Sequence, residues 1–139
     1  MPCKIKVSNT SEVTLEFKER NGELLLHIYK TFSSERGVGI DKESALVFNA
    51  DQATQLNAIV QMIDSGNYAI KEYGKLHKWA RIFKIFMSSF RGKNSLQVRE
   101  RLVSPTYTGY GKQWATFPSH KIKEFQDHLI KLMDELVVG

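Results

Sequence analysis

Two segments of the chain place basic and aromatic side chains at alternating positions between apolar ones. Cations spaced in this way can follow the phosphates of a nucleic acid, and aromatic rings can stack on unpaired bases. We therefore expect contact with single-stranded DNA or RNA, whose base faces are exposed. The candidate cations are Lys18, Arg20, Arg99 and Arg101, the candidate stacking residues are Tyr29, Phe90, Tyr107 and Tyr110, and His27 shares the open face with Tyr29.

Each of these side chains also has a purely structural alternative. Lys18 and Arg20 could pair with neighbouring glutamates instead of phosphates. Phe90 could belong to the core or pack within a hairpin, and the two tyrosines at 107 and 110 could pack their own loop. The basic surface as a whole could also be a solvated face with no partner.

Catalytic chemistry finds little support in the sequence. The four histidines show no paired spacing of the kind that binds zinc, and Cys3 lies close to the terminus with no evident base. Gly37 and Gly39 are not followed by the Lys-Ser or Lys-Thr of a phosphate-binding loop. We expect a non-catalytic protein without a cofactor or a metal.

The net charge of +5 over 139 residues is distributed unevenly. The two segments predicted below as helices are net acidic, whereas residues 70–112 contain ten Lys or Arg against Glu72 and Glu100. A basic sheet with acidic helices behind it favours a polyanionic partner on the open face. The single cysteine and the lack of a membrane-length apolar run predict a soluble, intracellular protein, with nucleus and cytoplasm both open.

Alternating and helical periodicities divide the first half of the chain. Residues 12–20 and 23–32 alternate as strands on either side of Asn21-Gly22, a strong signal for a two-residue hairpin turn. Residues 33–44 are predicted as a polar loop and residues 46–48 as a strand. Asn49 and Gln52 then form a capping-box pattern before a helix over residues 50–64. The helix buries Ala53, Leu56, Val60 and Ile63.

The second half follows the same order. Residues 65–79 read as a linker with an opening strand near 69–73, and the apolar segment 80–89 fits either a helix or a strand. The segments 95–103 and 114–117 are predicted as strands, joined by a Gly- and Tyr-rich loop over 104–112. Pro118 ends the last strand, and Ser119 is the expected cap of a helix over residues 119–136. The expected buried face of that helix consists of Ile122, Phe125, Leu129, Leu132, Met133 and Leu136.

The two halves are similar when the sequence is shifted by 69 or 70 residues. Apolar strand positions, turn glycines and helix starts then coincide, which decides for a strand over residues 80–89. The prediction is an α+β protein of one domain, made of two tandem ββββα repeats over about residues 1–66 and 67–139. Two intertwined, curved antiparallel sheets would be backed by two helices.

Three stretches carry a resemblance to a known family: residues 15–22 (LEFKERNG), the turn 91–92 with residues 96–99 (LQVR), and residues 115–118 running into 125–134. They resemble the PUR repeat of purine-rich-element-binding proteins, related in fold to the Whirly single-stranded-DNA-binding proteins. The likeness covers nearly the whole chain and departs from the family at residues 86–90. It implies interlocked ββββα repeats that bind single-stranded DNA or RNA. The contacts it implies are Lys18, Arg20, Arg91, Lys93 and Arg99, with Phe90 or Tyr29 stacking.

An alternative of another class is a protein-interaction or dimerisation module. Its basic sheet would meet an acidic protein partner, or apolar helix edges would form a homodimer. A basic patch for anionic membranes ranks last, because no basic amphipathic helix is present.

Overall fold

The computed structural model describes residues 2–78, 81–103, 106 and 108–138. The chain forms two four-stranded antiparallel sheets, each followed by a helix, so the α+β class and the ββββα order are as predicted. The first sheet contains β1 (Cys3–Lys6), β2 (Ser11–Arg20), β3 (Glu23–Ser34) and β4 (Gly37–Phe48), followed by α1 (Ala50–Gln61). The second contains β5 (Glu72–Lys78), β6 (Arg81–Phe90), β7 (Lys93–Val103) and β8 (Thr108–Pro118), followed by a 3-10 turn (Ser119–Lys121) and α2 (Ile122–Val138).

The central hairpins of the two sheets share one geometry. Asn21 and Gly22 have φ of 54° and 82°, and Arg91 and Gly92 have φ of 52° and 76°, so both turns use the left-handed region. Leu15 pairs with Ile28 in the first sheet, and Ile85 pairs with Val98 in the second. Both residues of the second pair lie 70 positions after their counterparts in the first. The strand prediction for the apolar segment is confirmed over residues 81–90, where alternate side chains are buried.

Three sequence-based boundaries are wrong in the strands. The loop predicted over 33–44 is strand instead: Thr31 lies opposite Ile40, only residues 35–36 form the turn, and residues 42–44 lie in a bulge of β4. Residues 32–40 are exposed on both faces, so their ladder lacks the apolar alternation that identifies a half-buried strand. Residues 108–112 likewise begin β8, where residues 108–110 pair with β7 and residues 111–112 lie in a bulge. The opening strand of the second half is β5 rather than 69–73, because it buries Leu76 opposite Phe83.

The helices differ from their predicted limits mainly at the ends. The capping box is confirmed, since Asn49 accepts from the backbone of Gln52 at 2.8 Å and donates its own N–H to the Gln52 side chain at 2.9 Å. The first helix, however, ends at Gln61 rather than at residue 64. Ser119 is not a cap: it lies within the 3-10 turn, where no side chain caps the start. Of the ten positions predicted on the buried helix faces, eight are buried, whereas Met133 and Leu136 are only partly buried.

Each helix also packs on the sheet of the other half. The first helix contacts β5 as well as β3 and β4, and the second contacts β1 and β2 as well as β8. Gln126 of α2 is buried and donates to the carbonyls of Val60 and Ile63, at 3.0 and 2.7 Å. The Val60 carbonyl also accepts from the Ile63 N–H at 3.2 Å, so Gln126 ties the last turn of α1 and a residue just beyond it to α2. Within the described residues, neither helix has the length and apolarity needed to cross a membrane.

Candidate nucleic-acid interface

The predicted contact residues lie in three separate places. Lys18, Arg20, His27 and Tyr29 lie on the face of the first sheet that points away from the core. The second hairpin turn carries Phe90, Arg91 and Lys93. Arg99 and Arg101 lie on the corresponding face of the second sheet. The structure therefore joins four of the nine residues into one surface and leaves the other five in two further groups.

Two adjoining depressions cover the outer face of the first sheet. One has a volume of about 310 Å³ and is lined by Lys18, His27, Tyr29 and Lys42 among others. The other, of about 430 Å³, is lined by Arg20 and Lys78, and Val47 lines both. We call this surface the first-sheet groove and define it by Lys18, Arg20, His27, Tyr29, Lys42 and Lys78.

Lys42 and Lys78 were not predicted from the sequence. Lys42 fell within the segment assigned to a loop, and Lys78 fell within the assigned linker, so neither was placed on a sheet face. Lys78 comes from β5 of the second half and donates to the carbonyl of Val47 at 2.7 Å. Burial, followed by the charge of Arg81, lowers the pKa of Lys78. The groove is thus assembled from both halves of the chain.

A carboxylate organises the centre of the first-sheet groove. Glu16 accepts a hydrogen bond from the Tyr29 hydroxyl at 2.8 Å and pairs with the Lys18 ammonium at 3.4 Å. The ammonium lies 5.2 Å from the centre of the Tyr29 ring. Burial raises the pKa of Glu16, but the bonds from Tyr29 and Lys18 outweigh it, so the pKa lies below its ordinary value. The pairing alternative for Lys18 is therefore present, although half of its side chain remains exposed.

His27 lies opposite Glu16 in the same groove. Burial lowers its pKa below 6.5, and the positive charges of Lys18, Arg20 and Lys78 lower it further, against the opposing effect of Glu16. The imidazole is therefore neutral at pH 7. A bound polyanion would favour its protonated form, because an opposite charge stabilises the cation.

This coupling predicts a pH dependence of binding. Affinity for a single-stranded oligonucleotide should rise as the pH falls below about 6.5 at constant ionic strength, because binding then takes up a proton. The stability of the free protein should change in the opposite sense: a lowered histidine pKa means that the unfolded chain binds more protons, so acidification destabilises the fold. Anisotropy titrations at several pH values test this, with His27→Gln as the control. Equal pH slopes for the two proteins would remove His27 from the interface.

The second hairpin turn presents an exposed aromatic ring. Phe90 is 71% exposed and pairs with Lys93 across the turn. The Arg91 guanidinium lies 5.1 Å from the ring centre. The core-packing alternative for Phe90 is therefore wrong, because the strand carries it past the edge of the apolar layer. Tyr107, another stacking candidate, lies outside the described residues.

The second sheet carries a layered group of rings and guanidinium groups. Arg99 lies 4.4 Å from the ring centre of Tyr110 and 5.5 Å from that of Trp114. Arg101 lies 5.4 Å from the Tyr110 ring centre, and Phe86 stacks on the same ring at 6.0 Å. Arg99 and Arg101 are thus engaged with protein rings rather than fully exposed. Trp114 was not predicted as a site residue; its alternation with buried Ala115 and Phe117 was the available signal.

A metal-binding cluster does not emerge from the described part of the chain. No set of three or more His, Cys, Asp or Glu side chains in it could hold a metal ion. Cys3 lies in β1, and burial raises the pKa of its thiol, which disfavours the nucleophilic thiolate. Comparison with known proteins adds no assignment, since no family model and no curated protein matches the sequence.

Proposed function

We propose that the chain is a non-catalytic single-stranded nucleic-acid-binding protein of the PUR-repeat kind. The observation that carries this proposal is the first-sheet groove, where Lys18 and Lys42 line one depression with Tyr29 and His27, and two further cations line the adjoining one. Phosphates would contact the cations, and bases would stack on exposed ring faces. The equivalent registers of the two central hairpins support the relation to tandem ββββα proteins.

The distribution of charge supports a polyanion rather than a neutral ligand. The cations of the groove come from β2, β4 and β5, so they surround the surface instead of forming one exposed stripe. Glu16 and Glu23 are acidic groups at the groove, and Glu16 is already bonded to Lys18 and Tyr29. A phosphate that approached Lys18 would compete with the Glu16 carboxylate. Because of this competition, we expect a moderate affinity that falls as the salt concentration rises.

Salt-dependent binding tests the proposal. The double variant Lys18→Ala with Arg20→Ala should bind a labelled single strand more weakly, with the slope of log affinity against log salt reduced by about 1.4 if each cation meets one phosphate. Its melting temperature should be unchanged, because both side chains are exposed. Fluorescence anisotropy over a salt series, with matched DNA, RNA and duplex probes, measures this.

The matched control also removes two positive charges, but from a helix instead of the first-sheet groove. Lys123 and Lys131 are exposed on α2, away from the groove, so Lys123→Ala with Lys131→Ala should leave the salt slope of binding nearly unchanged. Equal losses in the two double variants would indicate attraction to net charge alone. Unchanged affinity in the Lys18/Arg20 variant would contradict the proposed surface.

Exposed apolar side chains at the tip of the β3–β4 hairpin support the second candidate, a protein-interaction or dimerisation module. Val38 and Ile40 are 75% and 55% exposed on one face of the hairpin, and Phe32, opposite Gly39, is 44% exposed on the other. Exposed apolar groups of this kind occur at protein contacts. Retention on single-stranded DNA resin compared with an anionic resin of equal charge, and the mass in solution, would separate this function from nucleic-acid binding.

A further inference from the structure

A buried lysine lies at the contact between the two sheets. Lys30 of β3 is 6% exposed, and its Nζ lies 2.7 Å from the ring centre of Trp114 in β8. Arg99 of β7 lies over the same indole, 5.5 Å from its centre. We call Lys30, Arg99 and Trp114 the junction cluster, because strands of both sheets contribute to it.

Two buried nitrogen atoms of the junction cluster lack acceptors, although the Arg99 guanidinium also donates from Nη1 to Gln97 Oε1 at 3.3 Å. Neither Lys30 Nζ nor Arg99 Nε has a hydrogen-bond partner within the part of the chain that the structure describes, although both atoms are buried. Burial lowers the pKa of Lys30 to about 8; Asp41 opposes this effect, and Arg99 adds to it. Burying an ammonium group without an acceptor beside a second cation is costly unless an anion joins them.

The neighbouring carboxylates do not fill this role. Asp41 pairs with Lys30 across the strands, but its oxygens accept from the Ser44 hydroxyl at 2.7 Å and the Ser44 backbone at 3.2 Å. Glu100, between the two arginines of β7, is buried and pairs with Arg81 at 3.1 Å. Lys84, opposite Arg99, pairs with Glu72 at 3.1 Å.

We propose that the junction cluster binds a phosphate group between the Lys30 ammonium and the Arg99 guanidinium. On the proposed function, on which this assignment rests, the group is one phosphodiester of the bound strand. Lys30 would turn from the indole towards the phosphate, and the face of Trp114 that it leaves would accept a base. Arg99 is only half-buried, so an anion can approach from its side. Inorganic phosphate offers the same oxyanion chemistry without a base.

Two substitutions test the cluster with opposite expected effects. Lys30→Met keeps the length and the apolar stem over Trp114 but removes the charge; it should weaken oligonucleotide binding about tenfold to a hundredfold, as for a lost bond to a charged group. Asp41→Asn removes the carboxylate that opposes the anion while keeping an acceptor for Ser44, so it should tighten binding severalfold. A purely structural role for Lys30 would produce no such gain.

Trp114 emission supplies a direct readout. In a Trp79→Phe background, a short oligothymidylate should change the emission of Trp114 in the protein with Lys30 and leave it unchanged in the Lys30→Met variant. Inorganic phosphate at equal ionic strength should raise the melting temperature of the first protein only. Without ligand at pH 7, Lys30→Met should be the more stable protein, because it carries no buried ammonium; this advantage should disappear as the pH rises from about 8 towards 10.5.

The outcomes distinguish this site from the wider function. If Lys30→Met binds the strand with unchanged affinity and salt slope while the Lys18/Arg20 variant binds weakly, the junction site is wrong and the groove remains supported. If no strand binds even at low salt, the proposed function fails. In that case the melting temperature with and without inorganic phosphate still tests the junction cluster. Equal melting temperatures would overturn this site as well.

Discussion

Replacing Phe117 with alanine should cost about 3–5 kcal/mol of the free energy of unfolding. Phe117 of β8 is fully buried opposite Leu96, and its ring stacks on that of Phe125 in α2 with centres 4.1 Å apart. Removal would leave a cavity where the second sheet meets its helix. Because a protein of this size is stable by only about 5–15 kcal/mol, this loss would remove a large fraction of its stability.

Urea unfolding of Phe117→Ala measures this effect, and the chain offers a matched control. Phe90→Ala removes the same side chain from the same half, but at a position that is 71% exposed. Its free energy of unfolding should change by no more than about 0.5 kcal/mol. If both variants lose similar amounts of unfolding free energy, the packing of Phe117 between β8 and α2 does not stabilise the fold as predicted.

Phe90→Ala should instead weaken binding of a single strand. An exposed ring outside the core is a suitable stacking surface, and loss of one stacked base costs about 1–3 kcal/mol, or about fivefold to 150-fold in affinity. The neighbouring Arg91 would then lose the ring that it lies over. Phe90→Trp should preserve or strengthen binding, since the larger ring still stacks.

Anisotropy with a short labelled single strand checks this prediction. Leu24→Ala is a useful control, because Leu24 is also an exposed apolar residue near a hairpin turn, at 41% exposure, but has no π face. Its affinity should stay close to that of the unmodified chain. If Phe90→Ala binds as tightly as Leu24→Ala, the stacking role belongs to another residue.

Local patterns in the sequence predicted the frame of the fold well. The turn at Asn21 and Gly22, the capping box at Asn49 and the buried helix faces depend on neighbouring residues, so they could be derived before any tertiary contact was known. The assignment of residues 81–90 needed the internal repeat, because an apolar segment alone fits helix or strand. Residues 33–44 were misassigned because strand pairing there is not accompanied by burial.

The sequence by itself determined the two ββββα units and the alternation that puts cations and rings on one face of each strand, because both follow from local periodicity. Only the tertiary structure decided how those faces combine. Lys78 joins the groove of the opposite half, and Lys30 comes to lie over Trp114, 84 positions away in the chain. Such contacts depend on how the two twisted sheets pack with the helices that contact both of them. Residue spacing along one strand does not encode this packing.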